Sequence, residues 1–129
     1  MLKQLLMSAL CILGITACQT ESPSFESVDV TTFSSIIEQP DVLLVDVRTP
    51  EEFSQGKIPG STNIDVKAEN FEQTAKELLV REKTIAVYCR SGRRSKIAAD
   101  ALTKMGYKVV ELDSGFNGWT AANQPTDRP

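Results

Sequence analysis

Three short runs along the chain are apolar almost without interruption, at residues 42–46, 84–89 and 108–112. A strand with one face in water alternates between apolar and polar side chains, and these runs do not. They therefore predict parallel strands that are covered on both faces. Two shorter stretches, 27–30 and 62–65, predict two further strands because they are rich in valine, threonine and isoleucine.

Between these runs the apolar residues recur with the period of a helix. The pattern predicts helices over residues 31–38, 67–80 and 95–105. The helix start at residues 49–52 and the stop at Gly56 predict another over 50–55, and a short helix is predicted over 115–122. Thr31 is the predicted N-cap of the first helix, and Thr49 begins a capping box with Glu52. In the fourth helix the predicted buried stripe consists of Ile97, Ala98, Ala101, Leu102 and Met105.

Strands that alternate with helices indicate βαβ units, and hence an α/β fold with a parallel sheet between helical layers. Phe71 and Trp119 are predicted to pack into the core; for Trp119 the alternative is an exposed ring that stacks on a ligand. The 129 residues, 41% apolar and 24% charged, suit one soluble domain. A net charge of −3 gives no support for a nucleic-acid partner.

The most distinctive feature of the chain is a cysteine at the tip of the run 84–89. Cys89 is followed by a short loop that leads into a helix, so backbone N–H groups and the positive end of the helix dipole are expected beside its sulfur. Gly92 permits the positive φ that such a loop often requires. Three arginines add positive charge. This arrangement favours a reactive thiolate with an anion bound beside it over an inert, buried cysteine.

Four motifs of the chain resemble those of one family, the rhodanese-type sulfurtransferases. Residues 88–95 resemble the active-site loop, 46–53 and 56–64 the two upstream signatures, and 115–119 the C-terminal signature. Lys57 is a departure, since many members carry histidine there. The resemblance implies a three-layer α/β/α rhodanese-like domain over residues 28–122, with a five-stranded, mostly parallel sheet.

The resemblance also implies a reaction that needs no cofactor. Cys89 would attack the outer sulfur of thiosulfate or a similar donor, hold that sulfur as a persulfide, and pass it to a thiol or to cyanide. The implied substrate-binding residues follow it in the loop: Arg90, Ser91, Gly92, Arg93 and Arg94. Arg90 and Arg94 are the stronger candidates for binding the dianion. For Arg93 the alternative is a side chain that points to solvent or steers the substrate from outside.

Asp46 and Arg48 follow the run 42–46, at the end of a strand where open α/β sheets place their sites. They are interpreted as loop support through an ion pair, with direct substrate contact as the alternative. No metal site is expected, because the chain contains no histidine and too few free cysteines for a Cys₄ zinc site.

The lack of histidine also narrows the reaction class. It excludes Ser-His-Asp and Cys-His hydrolase mechanisms. The active-site loop of cysteine phosphatases has the pattern Cys-x₅-Arg, which would need arginine at position 95. In this chain position 95 is serine, and the loop ends one residue earlier, at Arg94. A phosphatase or arsenate reductase is therefore disfavoured. The remaining alternative is a membrane-tethered, non-catalytic binding module or a redox sensor that forms a sulfenic acid at Cys89.

The N-terminus resembles a bacterial lipoprotein signal. Lys3 precedes an apolar stretch that is too short to span a bilayer, and small residues lead to Cys18. The resemblance implies a signal peptide over 1–17, lipidation of Cys18 and a polar tether over 18–27; an ordinary secretory signal is the alternative. A monomer on the periplasmic side of the cell envelope is expected, with Gln19 indicating the outer membrane. Residues 123–129 form a polar C-terminal tail.

Overall fold

The computed structural model describes residues 24–129. Its five strands are β1 (Glu26–Val28), β2 (Val42–Asp46), β3 (Thr62–Asn63), β4 (Thr84–Tyr88) and β5 (Lys108–Leu112). Its five helices are α1 (Val30–Ile37), α2 (Pro50–Gln55), α3 (Phe71–Leu78), α4 (Arg93–Lys104) and α5 (Gly115–Ala121). The predicted signal peptide, the predicted lipidation site at Cys18 and most of the predicted tether lie outside the described residues.

The strands form one parallel sheet in the order β1-β5-β4-β2-β3, so β4 is its central strand. Helices α1 and α5 cover one face, and α3 and α4 cover the other. The predicted three-layer α/β/α fold with a five-stranded parallel sheet is therefore confirmed. Because all strands run the same way, their carboxyl ends meet at one edge, where the loop after β4 lies.

Side chains of β4 alternate between two separate cores. Ile85 and Val87 pack with α3 and α4, whereas Ala86 and Tyr88 pack with α1 and α5. All four are buried, which explains why the run shows no polar alternation in the sequence. Phe71 and Trp119 are also buried, as predicted, and the Trp119 ring meets Phe33 edge to face.

Three details of the predicted helices were wrong. Helix α3 begins at Phe71, four residues after the predicted start at residue 67. Asp29, not Thr31, caps α1, since its carboxylate accepts a hydrogen bond from the Thr32 N–H at 2.9 Å. Ile97 is 60% exposed, because the buried stripe of α4 is centred on Ala98, Ala99 and Leu102. The capping box of Thr49 and Glu52 is confirmed.

The C-terminal segment returns to the body of the domain. Asp127 forms an antiparallel bridge with Lys57, whose ammonium lies 3.2 Å from the Asp127 carboxylate. The indole N–H of Trp119 donates to the carbonyl of Pro125 at 2.7 Å. Among residues 24–129, no helix has the length and apolar character needed to cross a bilayer.

The exposure of two α4 residues gives a direct test of the packing. Leu102→Ala is expected to lower the free energy of unfolding by about 2–5 kcal/mol, because Leu102 is completely buried. Ile97→Ala on the same helix is expected to change it by less than about 0.5 kcal/mol. Urea denaturation measures both. Equal losses of stability in the two variants would contradict the packing of the Leu102 face of α4 against the sheet.

Candidate active site

The loop that carries Cys89 is held against the loop after β5. Gly92 has φ +102°, and a Cβ there would lie 2.0 Å from the carbonyl oxygen of Asp113. Gly115 has φ +65°, and a Cβ there would lie 2.4 Å from the carbonyl oxygen of Arg90. The Phe116 N–H also donates to the Cys89 carbonyl at 2.7 Å. Glycine is required at both positions because the two backbones are in contact.

The Cys89 sulfur lies inside this loop, with no exposed surface on the residue. The Gly92 N–H donates to Sγ at 3.1 Å, at the start of α4. The Ser95 hydroxyl lies 3.4 Å from Sγ on the inner side. The predicted arrangement, a sulfur at the end of the central strand facing a helix N-terminus, is what the structure contains.

Two of the three loop arginines are already paired with one carboxylate. Glu52 of α2 accepts from Arg94 at 2.7 and 2.9 Å and from Arg90 at 3.0 Å. The hydrogen bond from Arg94 lowers the pKa of Glu52 well below its usual range; partial burial opposes this shift, and Arg90 adds to it. The same bond raises the pKa of Arg94. One carboxylate thus offsets one of the two positive charges of Arg90 and Arg94 before any anion binds.

Arg93 is placed differently from its neighbours. Its side chain is exposed and, within residues 24–129, lies in no ion pair. It lines a cavity of about 360 Å³ on the outer side of the loop, together with Lys67, Ser91, Arg94 and Ile97. Three of these five residues are cationic and none is acidic, so the cavity is suited to an anion.

Asp46 and Arg48 form a buried ion pair next to the site. The Arg48 guanidinium donates to the Asp46 carboxylate at 2.6 Å and to the Gly56 carbonyl at 2.6 Å, which joins β2 to the end of α2. Burial lowers the pKa of Arg48, but the hydrogen bond and charge of Asp46 outweigh it and raise that pKa. The guanidinium also stacks on Phe116, 4.4 Å from the ring centroid. These contacts hold the end of β2, the end of α2 and the start of α5 together.

Sequence reasoning missed two acidic residues of the site. Glu52 was recognised only as part of a capping box, although it also holds Arg90 and Arg94. Glu111 was not singled out, yet it is completely buried beside Ser95. Its signal was available, since an acidic residue stands inside an otherwise apolar strand. Within the described residues, no cluster of side chains is arranged to hold a metal ion.

Comparisons with known proteins agree with this geometry. The family model for the rhodanese-like domain matches residues 29–122, and the chain belongs to this family. The Escherichia coli thiosulfate sulfurtransferase PspE is 39% identical over 72 residues, which are 56% of this chain and 68% of that protein. A mitochondrial relative from Schizosaccharomyces pombe is 46% identical over 78 residues, 53% of this chain and 55% of its own length.

A solved structure shares the fold. The rhodanese-related protein from Thermoplasma volcanium superposes with a TM-score of 0.71 at 27% identity, and the match covers 80% of this chain and 98% of that one. The match therefore covers nearly the whole of that solved chain. In the present protein, residues 24–129 bury two hydrophobic cores of their own, which makes this segment a suitable protein for solution experiments.

The shared carboxylate predicts a pH-dependent stability. Glu52→Gln is expected to cost roughly 1 kcal/mol at pH 7, a modest value because Arg90 is 56% exposed at its side chain. The folded-state pKa of Glu52 lies below the unfolded one, so this stabilisation is complete above about pH 4.3 and lost as the pH falls further. Urea denaturation at several pH values measures it.

Glu51→Gln is the matched control, since Glu51 is exposed on the same helix and lies in none of the ion pairs described here. The stability of the wild type and of Glu52→Gln should converge in acid. A gap that stays constant down to low pH would contradict the charge-based explanation.

Proposed function

We propose that this protein is a sulfurtransferase that moves a sulfane sulfur from thiosulfate, or a comparable donor, to a thiol or to cyanide through a persulfide on Cys89. The observation that carries the proposal is the Cys89 sulfur, which accepts the Gly92 N–H at the start of α4 beside a cationic cavity. The similarity to a thiosulfate sulfurtransferase of Escherichia coli supports the donor class.

The first half-reaction requires a nucleophilic sulfur and a leaving group that is stable as an anion. The Cys89 thiolate forms a bond to the outer sulfur of thiosulfate, and the sulfur–sulfur bond of the donor breaks. Sulfite departs with the bonding electron pair and needs no proton from the enzyme. The Gly92 N–H and the positive end of the α4 dipole stabilise the charge that then resides on the persulfide.

The charges around the loop suggest how the donor arrives. Arg93 is the loop arginine without an acidic partner among the described residues, so its charge is available to attract a dianion into the cavity. Arg94 lines the same cavity while it remains bound to Glu52. Because Cys89 has no exposed surface, side chains over the loop must shift before the donor reaches it.

The proposal includes an envelope location for the domain, which rests on the resemblance of the N-terminus to a lipoprotein signal. Cys18 would carry the lipid, and β1 begins eight residues later at Glu26. Cys18→Ala in the full-length chain is expected to move the protein out of the membrane fraction, as seen by fractionation and immunoblotting. Retention of the variant in that fraction would refute lipid anchoring through Cys18.

Intact mass spectrometry of residues 24–129 tests the sulfur transfer itself. Incubation with thiosulfate should add one sulfur, about 32 Da, because a reactive thiolate forms the persulfide. Cyanide should remove the added mass. Cys89→Ser, which differs from the wild type by one atom, should gain nothing.

A folded and reduced protein that keeps its mass with several sulfane donors would refute the proposed reaction. A binding module or a redox sensor would then be the better interpretation. Oxidation of Cys89 to a stable sulfenic acid would favour the redox sensor over the binding module.

A further inference from the structure

Glu111 is a completely buried carboxylate in the middle of the domain. It lies on β5 between valine and leucine residues, where burying a charge costs several kcal/mol unless polar partners compensate it. One oxygen accepts from the Ser27 hydroxyl at 2.6 Å, and the other accepts from the Ser95 hydroxyl at 2.5 Å. The Lys96 ammonium lies 3.3 Å from that second oxygen.

Ser95 connects this carboxylate to the cysteine. A serine hydroxyl has a single proton, and the short contact with Glu111 shows that this proton is directed at the carboxylate. Towards Cys89 the Ser95 oxygen therefore acts as an acceptor, and the thiol proton points at it across 3.4 Å. The three groups form one continuous hydrogen-bonded row from the sulfur to the carboxylate.

We propose that Glu111, acting through Ser95, takes up the thiol proton of Cys89. The S–H bond breaks as its proton passes to the Ser95 oxygen, and the Ser95 O–H bond breaks as its own proton passes to Glu111. A thiolate, an intact serine hydroxyl and a carboxylic acid result. The total charge is unchanged, and the negative charge has moved to the sulfur, where the Gly92 N–H receives it.

This relay deepens the proposed function, because it supplies the thiolate on which the sulfur transfer depends. The chain has no histidine to act as a base. Cys89 has no exposed surface, so water has no direct contact through which to remove the proton. Glu111 touches neither the substrate nor the reacting sulfur, and it is therefore a positioning residue.

Several charged side chains lie close to the relay. Lys96 of α4 faces Glu111 and also pairs with Asp113 at 2.8 Å. Burial lowers the pKa of Lys96, but the Asp113 hydrogen bond and the Glu111 charge outweigh it and raise that pKa. Arg94 is bound to Glu52, and Ser27 of β1 is neutral. Lys96 is therefore the positive charge that lies against the carboxylate of the relay.

The pH profile of Cys89 alkylation by iodoacetamide tests the relay, using residues 24–129, in which Cys89 is the one cysteine. In the wild type, one proton is shared between Cys89 and Glu111. The rate should therefore show a level shoulder below neutral pH, before it rises in base. Glu111→Gln keeps the shape of the side chain but removes the carboxylate that would take up the proton. The alkylation rate of this variant should fall about tenfold for each pH unit that the pH is lowered, without a shoulder. At neutral pH it should lie at least about tenfold below the rate of the wild type.

Two further variants keep the test decisive. Ser95→Ala breaks the connection and should also lose the shoulder, which covers the case in which Glu111→Gln does not fold. Asp113→Asn removes a carboxylate that Lys96 also holds but that has no contact with Ser95, and it should retain the shoulder. Urea denaturation confirms that each variant is folded.

The relay is overturned if Glu111→Gln or Ser95→Ala reacts as fast as the wild type, or faster, with an unchanged profile. Glu111 would then be an ion-pair partner of Lys96 and nothing more. Iodoacetamide carries no sulfur, so this result is independent of the thiosulfate experiment. A shoulder without persulfide formation would refute the proposed function alone, and persulfide formation without a shoulder would refute the relay alone.

Discussion

The site depends on the close contact between two loops, one after β4 and one after β5. Neither Gly92 nor Gly115 has room for a Cβ, and the Phe116 N–H donates directly to the Cys89 carbonyl. This contact sets the path of the backbone on both sides of the sulfur and aims the Gly92 N–H at it. Because the two strands are hydrogen-bonded neighbours in the sheet, the register between β4 and β5 also positions the loop.

Charge around the cysteine is more nearly balanced than the sequence suggests. Three arginines in a five-residue stretch indicate a strongly positive loop, but Glu52 engages two of them from α2. A second carboxylate, Glu111, lies on the inner side and is paired with Lys96. Arg93 and Lys67 also line the cavity, and among the described residues neither lies in an ion pair.

Local patterns were sufficient to predict the fold, and long-range pairs explain what they left out. Apolar runs, helical periodicity, short stretches rich in β-branched residues and the capping box at Thr49 together predict all ten elements, and the motif around Cys89 predicts the nucleophile. Periodicity alone does not fix which face of α4 is buried. Ile97 lies about 100° from Ala98 around the helix, at the border of the apolar stripe, and was therefore included among the buried residues although it is exposed. The pairs of Glu52 join residues 38 and 42 positions apart, and no local pattern contains them.

Two separate sets of groups divide the work that a histidine does in other cysteine enzymes. There, a neutral imidazole takes up the thiol proton and then, as imidazolium, supplies the positive charge beside the thiolate. Here the positive charge comes from Arg93, Lys67 and the α4 dipole, and the proton acceptor is Glu111. Separating the two leaves a cavity that is lined by cationic and neutral side chains and by no carboxylate. The buried position of Glu111 follows from this arrangement, because an exposed carboxylate at the mouth would repel the donor.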